Sequence, residues 1–324
     1  MTWSCLSRHR GELMGLAMIF IVLFHAPLSQ SDAFFGLRRC GNVGVDMFLL
    51  LSGMGLWFAW SKQPPLMQFY RRRLVRLLPA WLLVACLYYV PRFLESPFTW
   101  PRLFRLIGQV SVNIGFWQSG ELTFWYIPAI LALYLVSPFY MRLIEKHEEW
   151  RWLPVLMMVW CAAVEWVVPL HKAVWHLEIL WSRVPIFFVG INLGAWVKEG
   201  RTLTASGRQL AWLTLVLTAA LCICLEQTRH GRFPLFAERM VYIPMTVALC
   251  LVLCQLLERS PGWLVRAFSF IGGVSLETYL LHSQFVLVPL TRHHLGYWPT
   301  FLLTMAATLP LAWLLSKTIE KIRK

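Results

Sequence analysis

Apolar runs of about 17–20 residues recur along the whole chain, the length a helix needs to cross a hydrocarbon core. Hydrocarbon offers no partner to a peptide N–H or C=O, so each run must close its own backbone hydrogen bonds as a helix. Composition agrees: 58% of the 324 residues are hydrophobic and only 14% are charged. That is well below the roughly one quarter typical of soluble domains. Eighteen Trp and twenty-one Phe suit a chain with many interfacial aromatic belts. The reading is an all-α integral membrane protein, a bundle of about ten transmembrane helices within one domain over 1–324.

The runs are 13–30, 43–61, 74–92, 124–143, 152–169, 183–198, 210–226, 239–257, 270–289 and 298–316. The gap 93–123 is the long one, and its run 103–118 is too polar for a span, so an interfacial or re-entrant helix is expected there. The net charge of +14 does not point to nucleic acid, because membrane proteins gather Lys and Arg in cytoplasmic loops. An N-terminus in the cytoplasm puts 19 of the 30 Lys and Arg inside and 11 outside, which places both termini in the cytoplasm. The first run lacks a small-residue cleavage site and reads as a retained span. The eight Cys lie mostly within apolar runs, so no disulfide framework is read. His293 and His294 lack ligand-spaced partners, so no metal site is read either.

With this orientation, polar residues from five runs fall at one depth in the outer half. His25 ends the apolar stretch ELMGLAMIFIVLFH, Asp46 lies one turn inside GNVGVDMFLLLSG, Trp125 and Tyr126 open the fourth run, and Arg183 opens the sixth. His282 lies 12 residues into the ninth run, roughly 18 Å up at the helical rise. Ionisable groups inside spans are costly and mark functional sites. His25 beside Asp46 suits general-base activation of a hydroxyl, the acid fixing the imidazole tautomer. The alternative is a buried imidazole joining two helices. Trp125 and Tyr126 read either as belt residues or as a platform for a sugar ring. Arg183 reads as a holder of an acceptor carboxylate or oxyanion, or as a snorkelling end residue. His282 reads as a packing or supporting residue.

On the inner side, FYRRRLVRLLPAW sets Arg72 and Arg73 four and three residues before Arg76, on one helix face. Guanidinium forks at a helix start suit phosphate; the alternative is a topology anchor on anionic headgroups. A phosphate handle below and a His with an acid above together suggest acyl transfer from acyl-CoA to a hydroxyl.

Six segments, ELMGLAMIFIVLFH, GNVGVDMFLLLSG, FYRRRLVRLLPAW, LTFWYIPAILALYLVSPFY, VPIFFVGINLGAW and FSFIGGVSLETYLLHSQF, recur in one order over nearly the whole chain. In these the sequence resembles the membrane-bound acyltransferase 3 family, which includes O-acetyltransferases of envelope glycans. The resemblance implies a ten-span core, His25 as the essential base, and an Arg-x-x-Arg, here Arg73 and Arg76, serving the acyl-CoA donor. It implies acetyl-CoA as co-substrate with no permanently bound cofactor. The implied acceptor is an envelope glycan or glycolipid, and the implied location is the bacterial cytoplasmic membrane. One departure stands out: Met14 occupies the position, eleven residues before the histidine, where the family has a cation. Arg10, one turn below and about 60° from His25 around the helix, is the residue that would replace it. The competing readings are a succinyl or other acyl donor, an amine acceptor, and a non-catalytic glycan-precursor transporter or sensor.

Overall fold

The computed structural model describes residues 2–322. Among them the regular secondary structure is all helical, apart from one isolated bridge between Thr2 and Thr202. The principal helices are α1 (Arg10–His25), α2 (Val43–Trp60), α3 (Leu66–Leu94), α4 (Trp100–Val112), α5 (Tyr126–Lys146) and α6 (Leu153–Trp166). There follow α7 (Val184–Lys198), α8 (Ala205–Arg229), α9 (Leu235–Leu257), α10 (Gly262–Gly273), α11 (Ser275–Leu281) and α12 (Tyr297–Ile322). Six helices among the described residues are long and apolar enough to cross a membrane, and eight if each of two bent pairs is one span. This is a multi-pass membrane protein.

That number differs from the ten runs in the sequence, for local reasons. The run 152–169 breaks after Trp166 and the chain turns by 95°, and the run 270–289 breaks after Gly273 and turns by 61°. The first helix stops at His25 rather than at 30: Ala26 is extended, at φ −59° and ψ 136°, as a residue before proline prefers. α7 is short, at 15 residues. The 93–123 segment forms the amphipathic α4, closed by a left-handed Asn113 at φ 51°, and α4 is not among the candidate spans.

α2 is the hub, with 83% of its apolar window buried, whereas the windows of α8 and α12 are only 17% and 22% buried. Those outer helices leave Leu213, Leu217, Leu221, Leu303 and Leu314 exposed, the lipid-facing surface of a bundle. Without a hydrophobic force between helices in lipid, association depends on close packing at small residues. α2 meets α7 through Gly53 against the Phe187 carbonyl and Gly190 against the Leu50 carbonyl. α1 meets α10 in the same way, with Gly15 against the Phe268 carbonyl and Gly272 against that of Gly11. A side chain at Gly272 would collide with backbone that cannot swing away. Gly272→Val is therefore expected to lower stability by about 1–3 kcal/mol or more, the cost of overpacking. Thermal unfolding in detergent beside the wild type checks this.

Candidate functional site

α1 carries an arginine at one end and a histidine at the other, and the site is arranged along it. At the His25 end the last turn is tied down from outside the helix. Arg38 donates to the carbonyls of Phe24 (2.8 Å) and Ala26 (3.1 Å), and Tyr297 Oη donates to that of Leu23 (3.1 Å). These bonds satisfy carbonyls that a helix C-terminus leaves open. His25 Nδ1 lies 2.8 Å from the Ile21 carbonyl. A carbonyl only accepts, so Nδ1 carries the proton and Nε2 keeps the basic lone pair. The side chain stays exposed.

Its ring neighbour is His282, with centroids 5.1 Å apart in an edge contact. Buried His282 turns Nδ1 to the carbonyls of Tyr279 (2.8 Å) and Thr278 (3.2 Å), so it too is an Nδ1–H tautomer, and its Nε2 is buried without a partner. His282 opens a π-helical stretch, His282–Leu287, an irregularity that often marks functional sites.

Asp46 is not the partner of His25. Its Oδ2 accepts from Arg183 Nε at 3.2 Å, with both side chains 1% exposed. The backbone carbonyl of Ile21 takes the tautomer-fixing role expected of the acid. The cause is packing: Asp46 opens α2 and Arg183 precedes α7, and the glycine contacts press these two helices together. Arg183 is therefore a buried counter-ion and not a snorkelling end residue, with its guanidinium 5.6 Å from the centre of the Trp125 ring. Tyr126 faces the other way, into a cavity.

That cavity, about 150 Å³, is lined at one end by Arg10, Arg73 and Arg76 and at the other by Ile21, Tyr126 and Tyr279. Three guanidinium groups thus meet on one wall of it. Arg10 Nε donates to the Leu51 carbonyl at 3.3 Å, and the bare Gly55 leaves it room: a Cβ there would lie 3.1 Å from Arg10 Nη2. Arg73 packs on the Phe69 ring at 5.1 Å, with its Nε buried and unpartnered. Arg72 is exposed and off the lining, so the cluster divides: Arg73 and Arg76 face the cavity with Arg10 and Met14, and Arg72 does not. Cavity and histidines meet at Tyr279, whose hydroxyl accepts the Tyr126 N–H at 3.1 Å. Its ring stands 6.0 Å from that of His282. The lining ends at Ile21, one turn short of His25.

Sequence reasoning passed over Tyr279 and Arg38. Tyr279 lies three residues before His282 and so on the same helix side, a spacing that could have flagged it. Arg38 sits in a loop between runs, where nothing foretells its target.

The bundle thus holds a cavity lined by three arginines that approaches a histidine pair through Tyr279. The chain belongs to the acyltransferase 3 family: the family described as "Acyltransferase domain" matches residues 13–317. The protein is thus an acyltransferase. No curated protein and no solved structure matches the chain.

Removing Asp46 alone leaves Arg183 charged and uncompensated, so Asp46→Ala is expected to cost about 3–5 kcal/mol. The double change Asp46→Ala/Arg183→Met is expected to cost less than the two single changes summed. Denaturation of all three variants in detergent closes that cycle.

Proposed function

We propose that the protein moves an acyl group, acetyl foremost, from cytosolic acyl-CoA to a hydroxyl of an envelope carbohydrate or glycolipid across the bacterial cytoplasmic membrane. The observation that carries this reading is the cavity running from Arg10, Arg73 and Arg76 toward the His25–His282 pair. Phosphates of the donor bind the arginines by charge-assisted forks, on the cytoplasmic side in the orientation of the positive-inside count. The pantetheine arm then follows the cavity. From Arg10 to His25 is roughly 22 Å of helix, a span suited to an extended arm. Tyr279 and Tyr126 form the wall past which the thioester reaches the histidines.

At the far end the acceptor hydroxyl gives its proton to His25 Nε2 as its oxygen attacks the thioester carbonyl. The tetrahedral intermediate collapses with loss of the coenzyme A sulfur, which takes up the proton, leaving an ester and free thiol. Ile21 holds the tautomer that makes Nε2 the base, and His282 acts as a positioning residue against the His25 ring. Arg10 supplies, one turn lower, the cation that the family carries at the position of Met14. Asp46 and Arg183 hold α2 to α7 and act on the site through that scaffold.

The test is acetyl transfer and coenzyme A binding by purified protein. His25→Ala is expected to lower kcat by about 10²–10⁴-fold, the worth of a general base, while the donor still binds. Arg73→Ala/Arg76→Ala and Arg10→Ala are each expected to weaken donor binding by about tenfold or more, since a hydrogen bond to a charged group is worth about 1.5–3 kcal/mol. His282→Ala is expected to lower kcat with little change in the donor KM. Donor binding that ignores all three arginines would overturn the reading.

A further inference from the structure

Beyond the donor cavity, the His25 end of the bundle carries two more hollows that meet at a single arginine. The larger, about 890 Å³, is an apolar groove between α1, α8, α9 and α12, with Phe20, Leu23, Ala219, Ile223, Met245 and Leu249 on its walls. The smaller, about 460 Å³, is edged by polar groups of Ser29, Thr291, His294 and Thr300. Leu28 and Arg38 line both.

Three features make this more than a lipid-facing crease. Arg38 has no acidic partner among the described residues and donates only to carbonyls, whereas its neighbour Arg39 is paired with Glu226 at 3.0 Å. Asp32 also lines the groove, but one of its oxygens is engaged by the Phe34 N–H at 2.8 Å. Thr300, 1% exposed, turns a buried and unpartnered hydroxyl toward the smaller pocket. Finally, the two carbonyls that Arg38 binds are those of Phe24 and Ala26, the residues on either side of His25. Hydrocarbon surface, cation and polar chamber therefore follow one another in the order hydrocarbon, anion, sugar, with the residues on either side of the histidine bonded to the cation.

We infer that the acceptor is presented on a lipid: a long hydrocarbon chain lies in the groove, its phosphate sits on Arg38, and the sugar it carries occupies the polar pocket within reach of His25. This rests on the acyl-transfer reading above and names its acceptor class. A chain held in the groove would add apolar contact and confine the sugar hydroxyl near the base. A free sugar would have only the smaller pocket.

The experiment is saturation binding of a radiolabelled hexadecyl phosphate-linked hexose to the protein in phosphatidylcholine nanodiscs. Coenzyme A binding is measured on the same samples as a check on fold and donor site. Saturable binding is expected, weakened at least tenfold in Arg38→Gln and restored in large part in Arg38→Lys. It is also expected to weaken in Ala219→Phe, which fills the groove without touching the charge. Absent binding, or binding indifferent to both groove variants while coenzyme A still binds, overturns the proposal. Equal competition by phosphatidylglycerol in the disc also overturns it, since the groove would then be a site for bulk lipid. Wild-type protein that binds the hexoside but not coenzyme A would sink the donor reading and leave the groove standing.

Discussion

Backbone-to-backbone contact at glycine is the interaction on which this bundle turns. In hydrocarbon, two helices gain nothing from hiding leucines from water, so they are held where their surfaces fit most closely. Gly11, Gly15 and Gly272 let α1 lie against α10, and Gly53 and Gly190 do the same for α2 and α7. The first contact fixes α1 at its Arg10 end, where α10 gives way to α11. It places His25 beside the chain that continues into His282, and it aims Arg10 at the start of α3. Arg10 and His25 are two ends of one rigid element, which is why a single helix can carry an arginine at the cavity and a histidine beyond it.

The second contact explains the buried charge. An aspartate and an arginine at membrane depth would each be prohibitive alone, and they persist because they meet. Pressing α2 onto α7 makes Asp46 and Arg183 mutual counter-ions. His25 is left to draw its orientation from a main-chain carbonyl, which carries no net charge and needs no desolvation of an ion. A neutral imidazole held in this tautomer keeps its Nε2 lone pair without a carboxylate at its back.

The depth argument made from hydropathy and loop charge found real company for His25, since the apolar run of each helix limits where its polar residues can lie. It misassigned the partners. Depth is one coordinate; rotation about the helix axis is another, and a hydrophobic helix with little amphipathic contrast does not reveal which side faces which neighbour. Expected beside His25, Asp46 instead pairs with Arg183. The i, i+4 and i, i+3 rules group Arg72 and Arg73 alike with Arg76, yet only Arg73 shares the cavity with it. The bends after Trp166 and Gly273 were hidden for a related reason: hydropathy averages over a window and is blind to a break inside it.

Taken alone, the sequence determined that the chain is a helical membrane protein, that His25 and the arginines lie toward opposite ends of their spans, and that six segments follow one family's order. Those conclusions rest on local chemistry, because a span must be apolar and a charge in it is costly wherever it points. Tertiary structure decided which charges neutralise one another, that a carbonyl orients the histidine, and that Arg10 lines one cavity with Met14, Arg73 and Arg76. It also set an unpaired Arg38 between an apolar groove and a polar pocket. Those depend on helix rotation and close packing between segments far apart in the chain, which no local pattern records.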